Sequence, residues 1–216
     1  MDQPATVHVV DDSEVVRRAV SSLLKVAGYR VRAYPSAEAF LLEAAMSDGA
    51  PAVVLTDLVL PGLDGIAFAE RLGTSPAAPP VVFFSAYGAV PSSVRAMKEG
   101  AVDFLEKPVR DHELLDALSR AVARSREEIS RRQRLAEARR RYETLTQRER
   151  QVLALVVSGL LNKQVASRLG ISEKTVKVHR ARVIEKLAAR SLPDLVRIAG
   201  RLGVAVEPGE RGAGTD

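Results

Sequence analysis

The sequence contains no cysteine, and this absence limits both its cross-links and its metal chemistry. Without thiols the chain can form neither disulfides nor thiolate metal sites, which fits a reducing compartment. No apolar run approaches the roughly 20 residues that a membrane-spanning helix needs, and the N-terminus lacks the pattern of a signal peptide. From these absences we expect a soluble, cytoplasmic protein without a membrane partner.

The charges of this 216-residue chain are unevenly distributed. Its length favours two domains, and 46% hydrophobic residues suffice for packed cores. Residues 1–125 carry 12 Lys and Arg against 16 Asp and Glu, a net charge of −4, whereas residues 126–216 carry 20 against 11, a net charge of +9. The basic half indicates nucleic acid as a partner, although a basic face can also simply be solvated.

The first half alternates between strand and helix patterns. Apolar runs predict strands at Thr6–Val10, Arg30–Tyr34, Ala52–Thr56, Val81–Ser85 and Val102–Leu105. Helices are predicted at Ser13–Ala27, from Ser36 to about Met46, at about 64–73, at 91–99 and from 111 onward. The first helix is expected to pack through Val15, Val16, Ala19, Val20, Leu23 and Leu24. Five such βα repeats predict an α/β fold with a doubly wound parallel sheet and right-handed crossovers.

Polar residues stand at the carboxyl ends of four of these strands. Asp11 and Asp12 follow the first strand, Asp57 the third and Lys107 the fifth, and Ser85 ends the fourth. In a flavodoxin-like strand order these four strands are neighbours, so their end residues converge on one edge of the sheet. For Asp57 taken alone, capping of the next helix is an equally good interpretation.

The convergence favours phosphoryl chemistry. Three close carboxylates repel one another unless a cation lies among them, and hard oxygen ligands with open positions suit Mg²⁺. A lysine and a hydroxyl beside them could hold the other oxygens of a phosphoryl group. The structural alternative is a Lys–Asp salt bridge next to a chance acidic pair.

These residues, in this order over about 120 positions, resemble the receiver domain of bacterial two-component response regulators. The resemblance implies that Asp57 accepts a phosphoryl group from the phosphohistidine of a sensor histidine kinase. It implies that Mg²⁺ (or Mn²⁺) is held by Asp12, Asp57 and the backbone carbonyl of Val59, with help from Asp11. Lys107 would pair with the phosphoryl group through a cis Lys107–Pro108 peptide, and Ser85 would donate a hydrogen bond to it.

Three further positions bear on how such a receiver works. Phe104 occupies the position of the family's switch aromatic, although a core ring would look the same in sequence. Val59 is apolar where many relatives are polar, and Tyr87 is bulky. We hypothesise that Val59 does not orient an attacking water, so that the aspartyl phosphate is long-lived. Val59 also argues against a phosphohydrolase resembling the haloacid dehalogenases, which need an acid at this position.

A charged helical segment follows the receiver-like half. No Gly or Pro falls between about 111 and 143, which predicts one long helix or two abutting ones. The surface of the segment is dense in Arg and Glu, and its apolar spacing is too irregular for a heptad seam. A rigid spacer is therefore favoured over a coiled-coil dimer contact.

The C-terminal half has the pattern of a helix-turn-helix. Thr146 and Glu149 form a capping box, and Asn162 and Ser172 are predicted to cap the next two helices, the second of which runs over Glu173–Ala188. A fourth helix at about Leu192–Leu202 is expected to pack through Leu192, Leu195, Val196, Ala199 and Leu202.

The second helix of this pattern has two distinct faces at 100° per residue. Its core face is Val176, Val183, Ile184 and Leu187. Its opposite face supplies candidate DNA contacts, and the full set is Lys163, Lys174, Thr175, Lys177, Val178, Ala181 and Arg182. Arg180 points toward the buried side and is interpreted as a snorkelling or phosphate-contacting residue.

This half resembles the LuxR-type DNA-binding domain, through Leu145–Leu153, Asn162–Ala166 and Ser172–His179. The whole chain is identified as a member of the NarL/LuxR (FixJ/StyR-like) response regulators. The resemblance implies base contacts at Lys177, Val178 and Ala181, the last of which is often polar or basic in relatives. The expected segments are a receiver domain at 1–124, a helical linker at 125–143, an all-α four-helix domain at 144–204 and a disordered tail at 205–216.

The expected function is a phosphorylation-switched, sequence-specific transcription regulator and not an enzyme. Phosphorylation of Asp57 would shift Ser85, Phe104 and the face formed by the helices at 91–99 and from 111 with the last strand. A homodimer would then place two recognition helices on promoter DNA. The alternative is a DNA-binding regulator whose receiver is a constitutive dimerisation scaffold.

Overall fold

The computed structural model describes residues 4–43, 49–75, 77–86 and 100–204. The helix expected at 91–99, the end of the helix expected to reach Met46, Tyr87 and the tail from 205 onward therefore lie outside the described residues. The chain divides into two compact units between Ser130 and Arg131. No helix of the described part is long and apolar enough to cross a membrane.

The N-terminal unit is built on a parallel sheet of five strands in the order β2-β1-β3-β4-β5. The strands are β1 Thr6–Val10, β2 Arg30–Tyr34, β3 Ala52–Thr56, β4 Val81–Ser85 and β5 Asp103–Glu106. This order confirms the flavodoxin-like prediction. Strand β5 starts one residue later than predicted because its ladder with β4 begins at the pair Val82–Asp103.

Among the described residues, three short helices flank this sheet: α1 Glu14–Val26, α2 Ala37–Glu43 and α3 Gly65–Gly73. Helix α1 packs on one face of the sheet through Val20 and Leu24, and helices α2 and α3 pack on the other through Phe40 and Phe68. The first-helix prediction was partly wrong, because Val15 is 78% exposed and Ala19 is also exposed. Val20 and Leu24 are buried and Val16 and Leu23 are partly buried, which is a narrower stripe than expected.

The charged segment forms a single helix, α4 Asp111–Glu143, which confirms the absence of a break. At 1.5 Å per residue it is about 50 Å long. Its first part packs on the sheet through Leu114, Ala117, Leu118 and Ala121. Ser125 is also buried there, and its Oγ accepts a hydrogen bond of 3.1 Å from the backbone N–H of Ala52. The boundary between the two compact units falls within this helix.

The C-terminal unit contains the other described helices, α5 Gln147–Val157, α6 Asn162–Leu169, α7 Glu173–Lys186 and α8 Leu192–Leu202. They enclose one core, which includes the fully buried Leu153, Val165, Val176 and Leu195. The capping box of Thr146 and Glu149 and the Ser172 cap are both confirmed.

Three details of this unit differ from the predictions. Asn162 is the first residue of α6 and not its cap, because Leu161 holds the extended cap conformation. Helix α7 ends at Lys186, since Ala188 has a positive φ of 49°. In α8, Leu192 and Val196 are 41% and 43% exposed, whereas Leu195 and Ala199 are buried in the core and Ile198 packs against it.

Candidate functional site

Asp57 lies at the carboxyl end of the buried central strand β3. Val53, Val54 and Leu55 are at most 1% exposed, and the backbone N–H of Asp57 donates to Val10 O at 2.9 Å, which extends the pairing with β1. The residue that caps α3 is Asp64, whose Oδ1 accepts from the Ala67 N–H at 2.8 Å. Asp57 is therefore not a helix cap, and its carboxylate, although only 9% exposed, is available for other contacts.

Gly65 lets the start of α3 approach the backbone of Asp57. A Cβ atom on Gly65 would lie 2.2 Å from the Asp57 carbonyl oxygen and 2.9 Å from Leu58 Cα. Gly65 N–H also donates to Leu58 O at 2.9 Å. Any larger residue would have to displace the turn that presents the carboxylate.

Lys107 joins Asp57 to the acid pair that follows β1. Its Nζ is 2.6 Å from Oδ2 of Asp57 and 2.6 Å from Oδ2 of Asp11. The Lys107–Pro108 peptide is cis, as the resemblance implied, and Lys107 N–H donates to Ser85 O at 2.9 Å. Burial lowers the pKa of Lys107, but its hydrogen bonds to Asp11 and Asp57 raise it by more, so the ammonium stays charged.

The other oxygen of Asp57 receives two hydrogen bonds. Ser85 Oγ donates to Oδ1 at 2.6 Å, and the Val59 N–H donates to the same oxygen at 3.0 Å. Together with Lys107 these donors surround the carboxylate with three groups that stabilise negative charge. The structure thus brings Asp11, Asp57, Ser85 and Lys107 together as predicted.

The acid pair itself is divided between the interior and the solvent. Asp11 is 2% exposed, and its Oδ1 accepts from the Ser13 N–H at 2.8 Å. Asp12 is exposed. Arg17 donates from Nη1 to the carbonyl oxygens of both residues, at 2.7 Å to Asp11 and 2.9 Å to Asp12. The sequence reasoning missed Arg17, because a side chain that binds backbone carbonyls has no signature in sequence.

The donor set of this edge fits a hard divalent cation. Asp11, Asp12 and Asp57 bring three carboxylates, while the ammonium of Lys107 is the cation that contacts two of them. Their chemistry is therefore suited to Mg²⁺ rather than to a softer metal. Within the described residues, no group of three acidic or histidine side chains stands in a geometry that would hold a metal ion as it is. The exposed Asp12 would have to turn inward to complete such a group.

Phe104 is partly buried beside the core of the sheet, 6.4 Å from Phe83 between ring centroids. This contact suits a core ring as well as a switch ring, so the switch role stays a prediction. Val59 is 53% exposed next to Asp57, whereas Tyr87 lies outside the described residues.

Helix α7 presents the predicted outer face in the C-terminal unit. The exposed residues of α7 are Glu173, Lys174, Lys177, Val178, Ala181, Arg182 and Glu185, and Lys163 on α6 is exposed as well. Thr175 is half-buried, and its Oγ1 shares a 2.8 Å hydrogen bond with Ser172 Oγ at the cap. The face therefore offers cationic groups for phosphates and small apolar groups for base edges.

Three contacts fix α7 against the rest of its unit. Lys186 Nζ is 2.7 Å from the buried Glu149 and 3.1 Å from Thr144 O. Burial raises the pKa of Glu149, but hydrogen bonds from Lys186 and Thr146 lower it by more. At the other end Arg180 donates to Asn162 Oδ1 at 3.2 Å, which agrees with its predicted orientation toward the buried side. In addition, Arg148 donates to Leu169 O at 2.7 Å, just before the turn.

Two family models match the chain. Residues 7–119 match the response regulator receiver domain, and residues 143–199 match the bacterial regulatory proteins of the luxR family.

Similar proteins share both parts. Nodulation protein W of Bradyrhizobium diazoefficiens is 42% identical over 96% of this chain and 90% of its own length. The transcriptional regulatory protein FixJ of Rhizobium meliloti is 44% identical over 90% of this chain and 94% of its own. Among solved structures, the response regulator StyR is similar with a TM-score of 0.78 and 39% identity, over 92% of this chain and all of that one.

Proposed function

The chain belongs to the bacterial response regulators that join a receiver domain to a LuxR-type DNA-binding domain, and on this basis we propose that phosphorylation of Asp57 switches its binding to promoter DNA. Such proteins regulate transcription and are not a typical enzyme family. One observation carries the assignment of the acceptor. The Lys107 ammonium lies 2.6 Å from the Asp57 carboxylate, while Ser85 Oγ lies 2.6 Å from its other oxygen.

In the proposed transfer, a carboxylate oxygen of Asp57 attacks phosphorus as the phosphorus–nitrogen bond of the kinase's phosphohistidine breaks. The Lys107 ammonium and the Ser85 hydroxyl, which contact the carboxylate at rest, then donate to the phosphoryl oxygens. Lys107 directly follows β5, the strand that carries Phe104, and Ser85 ends β4, which pairs with β5. The chain thereby performs its own phosphoryl acceptance without being an enzyme in the usual sense.

Receiver domains generally bind Mg²⁺ at the phosphorylation site, and here Asp11, Asp12, Asp57 and the backbone carbonyl of Val59 would hold it. When bound, Mg²⁺ (or Mn²⁺) supplies positive charge beside the phosphoryl oxygens. The three carboxylates and the hard character of their oxygens support this assignment.

For the DNA-binding half, we infer that α7 enters the major groove with Lys177, Val178 and Ala181 toward the bases. Lys163, Lys174, Thr175 and Arg182 would contact phosphates. The net charge of +9 over residues 126–216 supports this role. Promoter DNA, a sensor histidine kinase and a second copy of the chain are the proposed partners, and the cytoplasm is the proposed location. The proposed segments are 1–124, 125–143, 144–204 and 205–216.

Two alternatives make different use of the same residues. A constitutive dimerisation scaffold would not need the four-residue contact around Asp57, yet Asp11, Ser85 and Lys107 are all in place. A phosphohydrolase would need a proton donor at position 59, which is Val59. The intact contact set and this apolar residue both favour the switch.

Incubation of the full chain with acetyl phosphate and Mg²⁺, followed by mass spectrometry, tests the acceptor. We expect one added phosphoryl group, located on Asp57 and missing from Asp57→Asn. A wild-type protein that keeps its unmodified mass, or that is modified equally in Asp57→Asn, would contradict the proposal.

A further inference from the structure

We propose that Arg17 is a positioning residue for the metal site, because its guanidinium fixes the backbone that carries Asp11 and Asp12. This inference rests on the proposed function and extends it to a residue of helix α1. One guanidinium nitrogen, Nη1, donates both of its hydrogens to carbonyl oxygens, at 2.7 Å to Asp11 and at 2.9 Å to Asp12. Two consecutive peptide planes are thereby tied to one side chain.

The two carboxylates depend on this clamp to different degrees. The Asp11 side chain is fixed independently, because Lys107 and the Ser13 N–H both contact it. The Asp12 side chain is exposed, and Lys107 reaches Asp11 and Asp57 instead. The direction of the Asp12 Cα–Cβ bond is therefore set by its backbone, and its backbone is held by Arg17. Asp12 is the residue whose orientation we expect Arg17 to control.

Arg17 is well placed for such a role by the fold itself. It stands in the first turn and a half of α1, where the Arg17 N–H donates to Ser13 O at 3.0 Å. Its side chain therefore extends back toward the loop that precedes the helix, where Nη1 donates to the two carbonyl oxygens. The neighbouring Arg18 points away, is 79% exposed along its side chain and pairs with Glu14 at 2.5 Å. Arg18 has the same charge in nearly the same place without the clamp, and it provides a matched control.

Removal of Arg17 should change the affinity for a divalent cation in opposite directions through its hydrogen bonds and through its charge. A guanidinium near the site repels a divalent cation, so loss of its charge alone would strengthen metal binding. Loss of the clamp would weaken binding, because a ligand held in place by outer contacts must be ordered again when they are lost. The sign of the change therefore separates a positioning residue from a nearby charge.

The test measures the dissociation constant of Mn²⁺ for the full-length chain by electron paramagnetic resonance, with Mg²⁺ as competitor. We expect Arg17→Gln to raise it about tenfold, the lower end of the 10–100-fold usual for residues that support metal ligands. Arg18→Gln should leave it unchanged. Arg17→Lys keeps the charge but is one atom shorter, so it should raise the constant less than Arg17→Gln.

Circular dichroism and thermal unfolding establish that each variant is folded. If Arg17→Gln proves unstable, Arg17→Lys alone tests the inference. A Mn²⁺ dissociation constant of Arg17→Lys equal to that of the wild type then overturns it. An equal or tighter constant for a folded Arg17→Gln overturns it as well. A failure of the proposed function would look different, because the wild type itself would then bind no Mn²⁺ or accept no phosphoryl group on Asp57. That result would overturn the inference about Arg17 as well.

Discussion

Val59 stands beside the proposed acceptor with an apolar side chain that is 53% exposed, while its backbone N–H donates to Asp57. Under the hypothesis of a long-lived phosphoaspartate, this side chain flanks the path of the attacking water and can neither donate a hydrogen bond to it nor accept one from it. The long lifetime of the phosphoaspartate and the contribution of Tyr87 both stay predictions.

Val59→Asn is expected to speed loss of the phosphoryl group several-fold, which is less than the roughly 10²–10⁴-fold typical of a side chain that transfers a proton. Decay of the phosphorylated form at fixed Mg²⁺, followed by mass spectrometry, measures the rate. Val59→Leu is the control and should decay as slowly as the wild type. An unchanged rate in Val59→Asn would count against the hypothesis.

His8 is a titratable group in the core of the sheet, only 8% exposed on β1. Its ring packs 5.8 Å from Tyr34 and 5.2 Å from Phe40 between centroids. Burial, together with the positive charge of Arg32, lowers the pKa of His8 to about 4. The folded chain therefore holds a neutral imidazole under conditions in which an unfolded chain, with an ordinary pKa of about 6.5, would protonate.

This shift predicts a loss of stability in acid. Because the pKa of His8 is lower in the folded chain than in the unfolded chain, the part of the free energy of unfolding that depends on neutral His8 is fully present above about pH 6.5. It falls as the pH drops toward about 4. The free energy of unfolding falls by about 3 kcal/mol at most through this group. His8→Phe should remove this part of the pH dependence, whereas the exposed His112→Gln should keep it. Urea unfolding between pH 7 and pH 4 measures the difference, and parallel profiles for wild type and His8→Phe would refute it.

At the scale of elements, the start of α6 shows why the preference of certain residue types for the N-cap can place a cap one residue away from its true position. Leu161 holds the cap conformation with φ −71° and ψ 154°, and its own N–H donates to Gln164 Oε1 at 2.8 Å. Its side chain has no acceptor for the first N–H groups of the helix and is 71% exposed. Asn162, the better capping residue by type, is used instead as the acceptor for Arg180.

Leu161→Ser is expected to stabilise the C-terminal unit by about 1 kcal/mol, because a serine there can accept from the free N–H groups of α6. Thermal unfolding of the full chain, followed by helicity, measures the change. Leu42→Ser replaces another exposed leucine, 87% exposed on α2, and should give no gain. Equal effects of the two changes would show that the cap position is not responsible.

The elements that could be predicted from sequence are those with strong local patterns. The buried runs of β1, β3 and β4 have the predicted bounds, because each is mostly apolar and is closed by a polar residue at its end or just after it. The convergence of Asp11, Asp57, Ser85 and Lys107 followed from strand order alone. The clamp of Arg17 and the contact of Lys186 with Glu149 could not be predicted in this way. They join backbone or side chains through packing that has no fixed spacing in sequence.

In the proposed mechanism, the N-terminal unit of the molecule accepts the phosphoryl group and the C-terminal unit binds DNA. The continuous helix Asp111–Glu143 contains the boundary between them. Coupling requires that phosphorylation bias one state of the receiver over another, since a ligand that binds both states equally shifts neither.

Phosphorylation-dependent dimerisation is the expected form of this coupling. Acetyl phosphate with Mg²⁺ should shift the wild type toward a dimer in sedimentation velocity experiments. The oligomeric state of Asp57→Asn should not change when acetyl phosphate is added. Lys25→Gln, an exposed change on α1, serves as a control that should dimerise normally. Dimerisation of Asp57→Asn on addition of acetyl phosphate would contradict this route, and a wild type that is dimeric throughout would favour the scaffold.

A genome-wide DNA pull-down measures whether phosphorylation of Asp57 controls the binding of the chain to specific DNA. Wild type, Asp57→Asn and Lys177→Ala would each be incubated with fragmented genomic DNA, with and without acetyl phosphate. We expect a defined set of fragments that the wild type recovers only or mainly with acetyl phosphate. Asp57→Asn should lose the response to phosphate, and Lys177→Ala should lose the fragments in both conditions, because a base contact is worth about 1–3 kcal/mol. Recovery of the same fragments in the same amounts by wild type and Asp57→Asn, with or without acetyl phosphate, would contradict the account.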